Sequence, residues 1–138
     1  MKFDELQKLS SKKPHQRKTY SDEEHQLQKS CVKWFNLKYP YLKGRLFAVP
    51  NGGRRDKVTG SKLKEEGVIA GVSDLIFLKS NHYYGALLIE MKRKDGRQSD
   101  SQEWWQSVVC AKGEYKYVIC RSLDDFMREV NDYLNNAE

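Results

Sequence analysis

Apolar positions along the chain fall into two periodicities, and each predicts its own kind of element. Leu27, Cys31, Trp34 and Phe35 recur at three- and four-residue steps, the spacing of one helical face. The run Ser21-Asp22-Glu23-Glu24 ahead of them sets a hydroxyl at the N-cap and a carboxylate three residues on, and Pro40 ends the helix. Arg45 to Val49 reads as a strand, Pro50-Asn51-Gly52-Gly53 as a loop, and the segment up to about Gly67 as a short helix. Gly71-Val72-Ser73 leads into a strand over Asp74 to Lys79, Asn81-His82 marks a hairpin tip, and Tyr83 to Lys92 is the next strand. Its centre, Ala86-Leu87-Leu88-Ile89, is continuously apolar, which predicts a strand covered on both faces. Lys94-Asp95-Gly96-Arg97 is a turn. Ser99 opens a helix with Trp104, Trp105, Val108 and Val109 as its apolar stripe, ended by Gly113. Tyr115 to Cys120 is a strand, and Ser122 caps a last helix carrying Leu123, Phe126, Met127, Val130 and Leu134 on one face. The order α, β, α, β, β, α, β, α predicts an α/β fold, a small mixed β-sheet flanked by helices.

Composition narrows the class. The 138 residues suit one domain with a real core. The first 20 residues hold Lys2, Lys8, Lys12, Lys13, Arg17 and Lys18 against Asp4 and Glu5, broken by Ser10, Ser11 and Pro14. They read as a basic tail with at most a short helix over Phe3 to Leu9, which leaves 21–138 as the domain. No stretch approaches the roughly 18 consecutive apolar residues of a membrane helix. The opening MKFDELQKLS lacks a signal peptide's apolar core, which argues against secretion by that route and for a cytoplasmic protein. The three cysteines, Cys31, Cys110 and Cys120, form no close pair, and His15, His25 and His82 are scattered, so neither a disulfide framework nor a zinc site is expected. A formal charge of +6 with eight Tyr, five Phe and three Trp points to a polyanionic partner, most often nucleic acid.

Candidate chemistry gathers at Ile89-Glu90-Met91-Lys92. On a strand Glu90 and Lys92 share a face, and desolvating them is costly unless they pair or bind something. If the two strands form a hairpin, Asp74 comes near Glu90. Two close carboxylates repel, a divalent cation relieves that repulsion, and oxygen ligands suit Mg²⁺ or Mn²⁺. The alternative is a strand-end ion pair between Glu90 and Lys92, with Asp74 a turn residue.

Four motifs in order resemble the virus-type replication-repair nuclease family, VRR-NUC, of the PD-(D/E)XK superfamily. They are Asn51-Gly52-Gly53, the run from Glu65 through Asp74-Leu75, Ile89-Glu90-Met91-Lys92, and Ser99-Asp100-Ser101-Gln102, a resemblance spanning roughly residues 21 to 130. The family includes stand-alone phage proteins and the C-terminal domain of Fanconi-associated nuclease. The resemblance implies a restriction-endonuclease-like core and a metal-dependent endodeoxyribonuclease in a bacterial host cell, encoded by a phage or prophage. It implies that Asp74, Glu90 and the backbone carbonyl of Met91 hold Mg²⁺ or Mn²⁺. Lys92 is the motif lysine, Glu24 meets the metal directly or through water, and Gln102 orients Lys92 or the attacking water. Gln28, one turn after Glu24, neighbours the site. Glu24 and Gln102 each also sit three residues after a serine, so each fits a capping box, and Glu23 rivals Glu24. The motif's proline before the aspartate is Ser73 here, which affects the turn rather than the chemistry.

Asn51, Gly52, Gly53, Arg54, Arg55, Lys57, Lys62 and Lys64 form a basic stretch that suits DNA backbone contact, with a solvated turn as the alternative; Lys94 and Arg97 extend it. Trp104 and Trp105 read mainly as packing residues, one of them facing partly outward. Few base-reading signatures appear, which favours structure-selective cutting. Branched DNA such as a four-way (Holliday) junction is the expected substrate, a homodimer its simplest match in symmetry, and the family resemblance implies products with 5′-phosphate and 3′-hydroxyl ends. Two rivals remain: a non-catalytic DNA-binding module that keeps the fold, and an RNA-directed enzyme, for which no RNP or GxxG signature is present.

Overall fold

The computed structural model describes residues 22–50 and 57–136. Helix α1 spans 22–38 and is followed by a 3₁₀ turn at Pro40–Leu42. Next come β1 (Leu46–Ala48), α2 (Lys57–Glu65), β2 (Leu75–Phe77), β3 (Ala86–Met91), α3 (Asp100–Val109), β4 (Tyr115–Cys120) and α4 (Leu123–Asn135). The predicted order holds, and the fold is a mixed four-stranded α/β sheet in the order β1-β2-β3-β4. The first two pairings are antiparallel and β3–β4 is parallel, with α3 as the crossover that parallel strands require.

Three strands are shorter than the pattern suggests, β1 by one residue at each end and β2 and β3 by more. β2 covers Leu75–Phe77 and β3 begins at Ala86, because Asn81 organises a wider connection than a two-residue hairpin. Its Oδ1 accepts from the backbone N–H groups of Tyr83 and Tyr84, and its Nδ2 donates to the Tyr133 carbonyl. Asparagine mimics a backbone turn in this way and holds the chain off the ladder.

All six residues of β3 are buried, so each of its faces is covered. The register pairs Leu75 with Ile89 and Phe77 with Leu87, and Met91 with Cys120 on the other side. Leu87, Ile89 and Met91 therefore look onto one core with Cys31 and Phe35 of α1 and Phe126, Val130 and Tyr133 of α4. Each fully buried aliphatic or aromatic side chain of this layer contributes about 1.5–3 kcal/mol. Phe77 is clamped there between Phe35 and Tyr133, with ring centroids 5.3 and 5.9 Å away. All three cysteines would suit a core by composition; Cys31 and Cys120 are free and buried in it, whereas Cys110 at the end of α3 is only half-buried, and burial pushes the first two thiols up to about 12. The opposite face carries Leu88 and Glu90 of β3 with Tyr117 and Ile119 of β4. Trp105 of α3 lies against it, 6.3 Å from the Tyr117 ring.

Candidate active site

The sheet register builds the centre. Continuing the Leu75–Ile89 pairing by one residue sets Asp74 across from Glu90, at the ends of neighbouring antiparallel strands. The Asp74 carbonyl accepts from Val49 N–H at 2.9 Å, which ties it to the first strand as well. Ser73, where the family motif has proline, is fully buried, and its hydroxyl donates to the Leu75 carbonyl at 3.1 Å.

Asp74 Oδ2 accepts the Met91 N–H at 2.7 Å. The next amide, Lys92 N–H, bonds the Cys120 carbonyl of β4. Strand alternation then sends both polar groups of Met91 toward β2, so its carbonyl shares a side with the Asp74 carboxylate.

Glu90 is 1% exposed, and both of its oxygens are held. Gln102 Nε2 donates to Oε1 at 3.0 Å and the Tyr117 hydroxyl donates to Oε2 at 2.8 Å. Burial pushes its carboxyl up to about 8, the hydrogen bond and charge of Asp74 push the same way, and Tyr117 and Lys92 oppose them. The negative charge of a second carboxyl so close disfavours ionisation of Glu90.

Gln102 resolves two readings into one. Ser99 Oγ accepts the Gln102 N–H, and Gln102 Oε1 accepts the Ser99 N–H at 2.8 Å, completing the capping box of α3. The amide nitrogen of the same side chain is left for Glu90. A glutamate would cap equally well but has no donor to offer Glu90. The donor the resemblance directs to Lys92 or a water goes to Glu90 in this structure.

Gly71 locks the helix to the loop that carries Asp74. Its φ is +94°, and a Cβ there would stand 2.1 Å from the Ser101 carbonyl oxygen. Only glycine lets the two backbones approach so closely at that angle.

The remaining candidates are placed less tightly. Glu24 is half-buried at the N-terminal end of the α1 stripe that carries Cys31 and Phe35. Among the described residues no three His, Cys, Asp or Glu side chains form a metal-holding group, so Glu24 does not make a triad with Asp74 and Glu90. Its capping alternative involves Ser21, which lies outside the described residues. Glu23 is exposed and Gln28 half-buried. Lys92 is half-buried just past β3, close enough to act on the charge of Glu90. Asn51, Gly52, Gly53, Arg54 and Arg55 lie outside the described residues, and Lys57 opens α2. Lys62 and Lys64 are exposed in the last turn of α2, and Lys94 and Arg97 are exposed on the turn after β3. Arg121 braces that turn by donating Nη1 to the carbonyls of Arg93, Lys94 and Gly96 at 3.0, 3.2 and 2.6 Å. Trp104 is 53% exposed while Trp105 packs inward, the split expected of adjacent tryptophans.

Three contributors were not legible as site residues: Tyr117, Arg121 and Gln98, whose Nε2 approaches the Tyr117 hydroxyl at 3.3 Å. The signal for Tyr117 was its alternation with Ile119 on β4, which points at Glu90 only once the parallel register is known.

The sequence profile of the VRR-NUC domain matches residues 22–124. The chain belongs to the VRR-NUC family. VRR-NUC domains are nuclease-type and DNA-processing, which agrees with the basic charge of this one. A solved structure described as a VRR_NUC domain protein has a TM-score of 0.68 and 22% identity, covering 83% of this chain and 90% of that one. At that identity the likeness concerns the fold. No curated protein matches the chain. No helix among the described residues is long and apolar enough to cross a membrane.

The donor set of this VRR-NUC domain fits a hard divalent cation. Asp74 and Glu90 offer carboxylate oxygens pressed together against their own repulsion, and the Met91 carbonyl lies on the Asp74 side. Mg²⁺ is commonly bound by one or two carboxylates, with waters and substrate phosphate filling its other positions.

Proposed function

We propose that this domain is a metal-dependent endonuclease that hydrolyses phosphodiester bonds in branched DNA, four-way junctions in particular, as a homodimer. The observation that carries the reading is the buried Glu90 carboxylate, fixed at both oxygens and set against Asp74. Burying such a pair without a cation is costly, and a structural ion pair has no need of it.

Asp74, Glu90 and the Met91 carbonyl would hold Mg²⁺ or Mn²⁺, and Glu24 would reach it through water. When bound, the ion polarises the scissile phosphate and lowers the pKa of a coordinated water. Gln102 keeps Glu90 aimed at the site. The Lys92 ammonium stands beside the carboxylates to stabilise negative charge building on the phosphate. Water adds to phosphorus, the 3′-oxygen leaves with a proton, and the ends are 5′-phosphate and 3′-hydroxyl. Lys62, Lys64, Lys94 and Arg97, with residues Asn51 to Arg55 and Lys57, grip phosphates and so select shape over sequence. A two-fold dimer matches the symmetry of a four-way junction.

The test is cleavage of an end-labelled four-way junction and a matched linear duplex with Mg²⁺, Mn²⁺ or EDTA, beside Asp74→Ala and Glu90→Ala. Metal-dependent nicking of the junction, lost in both variants, is expected. Binding without cleavage under every metal would leave a non-catalytic DNA-binding module. Equal rates on junction and duplex would remove the structure selectivity.

A further inference from the structure

The two oxygens of Glu90 are gripped by two arms, one from α3 and one from β4 that is itself braced from α3. The first arm is Gln102, which donates directly to Oε1. The second begins at Gln106, whose Oε1 accepts from Gln98 Nε2 at 2.9 Å. That nitrogen also approaches the Tyr117 hydroxyl, and the hydroxyl donates to Glu90 Oε2 at 2.8 Å. Gln102 and Gln106 are i and i+4 on α3, hence on one face.

The length of the second arm follows from the sheet. Glu90 is paired with Ile119, so the next residue back on the same face of β4 is Tyr117, two steps of rise or about 7 Å away. A serine or threonine at 117 would fall short of that span, whereas a phenol covers it. Gln98 then donates to the phenolic oxygen, which leaves the hydroxyl proton for the carboxylate. Trp105 packs beside the ring and limits its swing.

We infer that Tyr117, backed by Gln98, is a positioning residue that holds the Glu90 carboxylate in the orientation that receives the divalent cation. The inference rests on the nuclease reading above and adds a residue outside the family motif. Tyr117 touches neither the substrate nor the ion. It removes the carboxylate's freedom to rotate, so its loss weakens cation binding while the reaction on the loaded site persists. Groups that orient a metal ligand in this way typically govern about 10–100-fold of metal affinity.

The experiment is Mn²⁺ binding without DNA, read by loss of the free-ion electron paramagnetic resonance signal, for wild type, Tyr117→Phe, Gln98→Ala and Glu90→Gln. Phenylalanine keeps the ring against Trp105 and removes only the hydroxyl, and Gln98→Ala touches no carboxylate, so either variant reports if the other fails to fold. Tyr117→Phe is expected to raise the Mn²⁺ dissociation constant by about tenfold. Gln98→Ala should act in the same direction by a smaller factor. Junction cleavage by Tyr117→Phe should return to within about threefold of wild type at saturating Mn²⁺, so the loss appears in the metal requirement and not in the maximal rate. Unchanged Mn²⁺ affinity in both variants, with wild type binding and cutting, would overturn this inference alone. Absence of Mn²⁺ binding in wild type would overturn the nuclease reading and this one together.

Discussion

Replacing Glu90 by glutamine tests the electrostatics of the site without a substrate. Gln102 can still donate to the new side chain's oxygen, and the Tyr117 hydroxyl can turn to accept from its amide nitrogen, so the shape is kept. What disappears is ionisation. Burial and the Asp74 carboxyl hold the Glu90 carboxyl near 8 instead of its ordinary 4.5. The folded chain thus binds this proton more tightly than the unfolded chain. The stabilisation is complete below the unfolded value, declines as pH rises, and is gone above about 8. At 1.36 kcal/mol per pKa unit, the decline is on the order of 5 kcal/mol at most, or roughly 10–20 °C in Tm for a domain of this size. Urea denaturation in EDTA between pH 5 and 8.5 measures it. Wild type is expected to lose several kcal/mol across that window while Glu90→Gln stays nearly level. Asp125, whose carboxyl is held low by the Arg121 backbone N–H, loses its contribution only below the window. Saturating Mg²⁺ at pH 8 should restore much of the wild-type loss and do little for the variant. Parallel curves for the two proteins would refute the assignment of Glu90 as the carboxyl that holds this proton.

Three further outcomes follow from the same geometry. Gly71→Ala drives a methyl group into the Ser101 carbonyl at a left-handed φ and should lower stability by about 2–4 kcal/mol in urea; an unchanged midpoint would show that the loop and α3 can part freely. Gln102→Glu keeps the cap but turns the donor on Glu90 into a third carboxylate, so far-ultraviolet circular dichroism should be retained while cleavage at limiting Mg²⁺ falls by about 10–100-fold. Wild-type activity there would sever the helix cap from the chemistry. Lys94→Ala with Arg97→Ala should flatten the slope of log affinity against log salt by about 0.9 for each lost phosphate contact. An unaltered slope would place the DNA elsewhere.

The fold was legible because each element carries its own punctuation. Pro40, the capping serines Ser99 and Ser122, and Gly67, whose N–H and that of Val68 close the end of α2, act over a few residues and leave clear marks. Asp74 and Glu90 were legible for a similar reason, since antiparallel neighbours with a known alternation bring their ends together. The limits of β2 and β3 were not legible, because Asn81 bonds both to its own turn and to Tyr133 of α4, a contact across 52 residues. Tyr117 was hidden for the same physical reason. A parallel pairing has no hairpin to fix its register, so nothing near residue 117 says which β3 residue it faces. Gln102 was legible twice over, as a cap and as a motif residue, and one side chain with a donor end and an acceptor end satisfies both.

That shared side chain ties two events together in time. The first turn of a helix is where local opening is easiest, and here such an opening withdraws one of the two grips on Glu90. The Tyr117 hydroxyl reaches Glu90 from β4, outside the helix, and survives the same fluctuation. Amide hydrogen exchange at Ser99 and Gln102 therefore reports how often Glu90 is held by Tyr117 alone. The order of the Glu90 side chain thus has a clock, and the clock is the fraying of the first turn of α3.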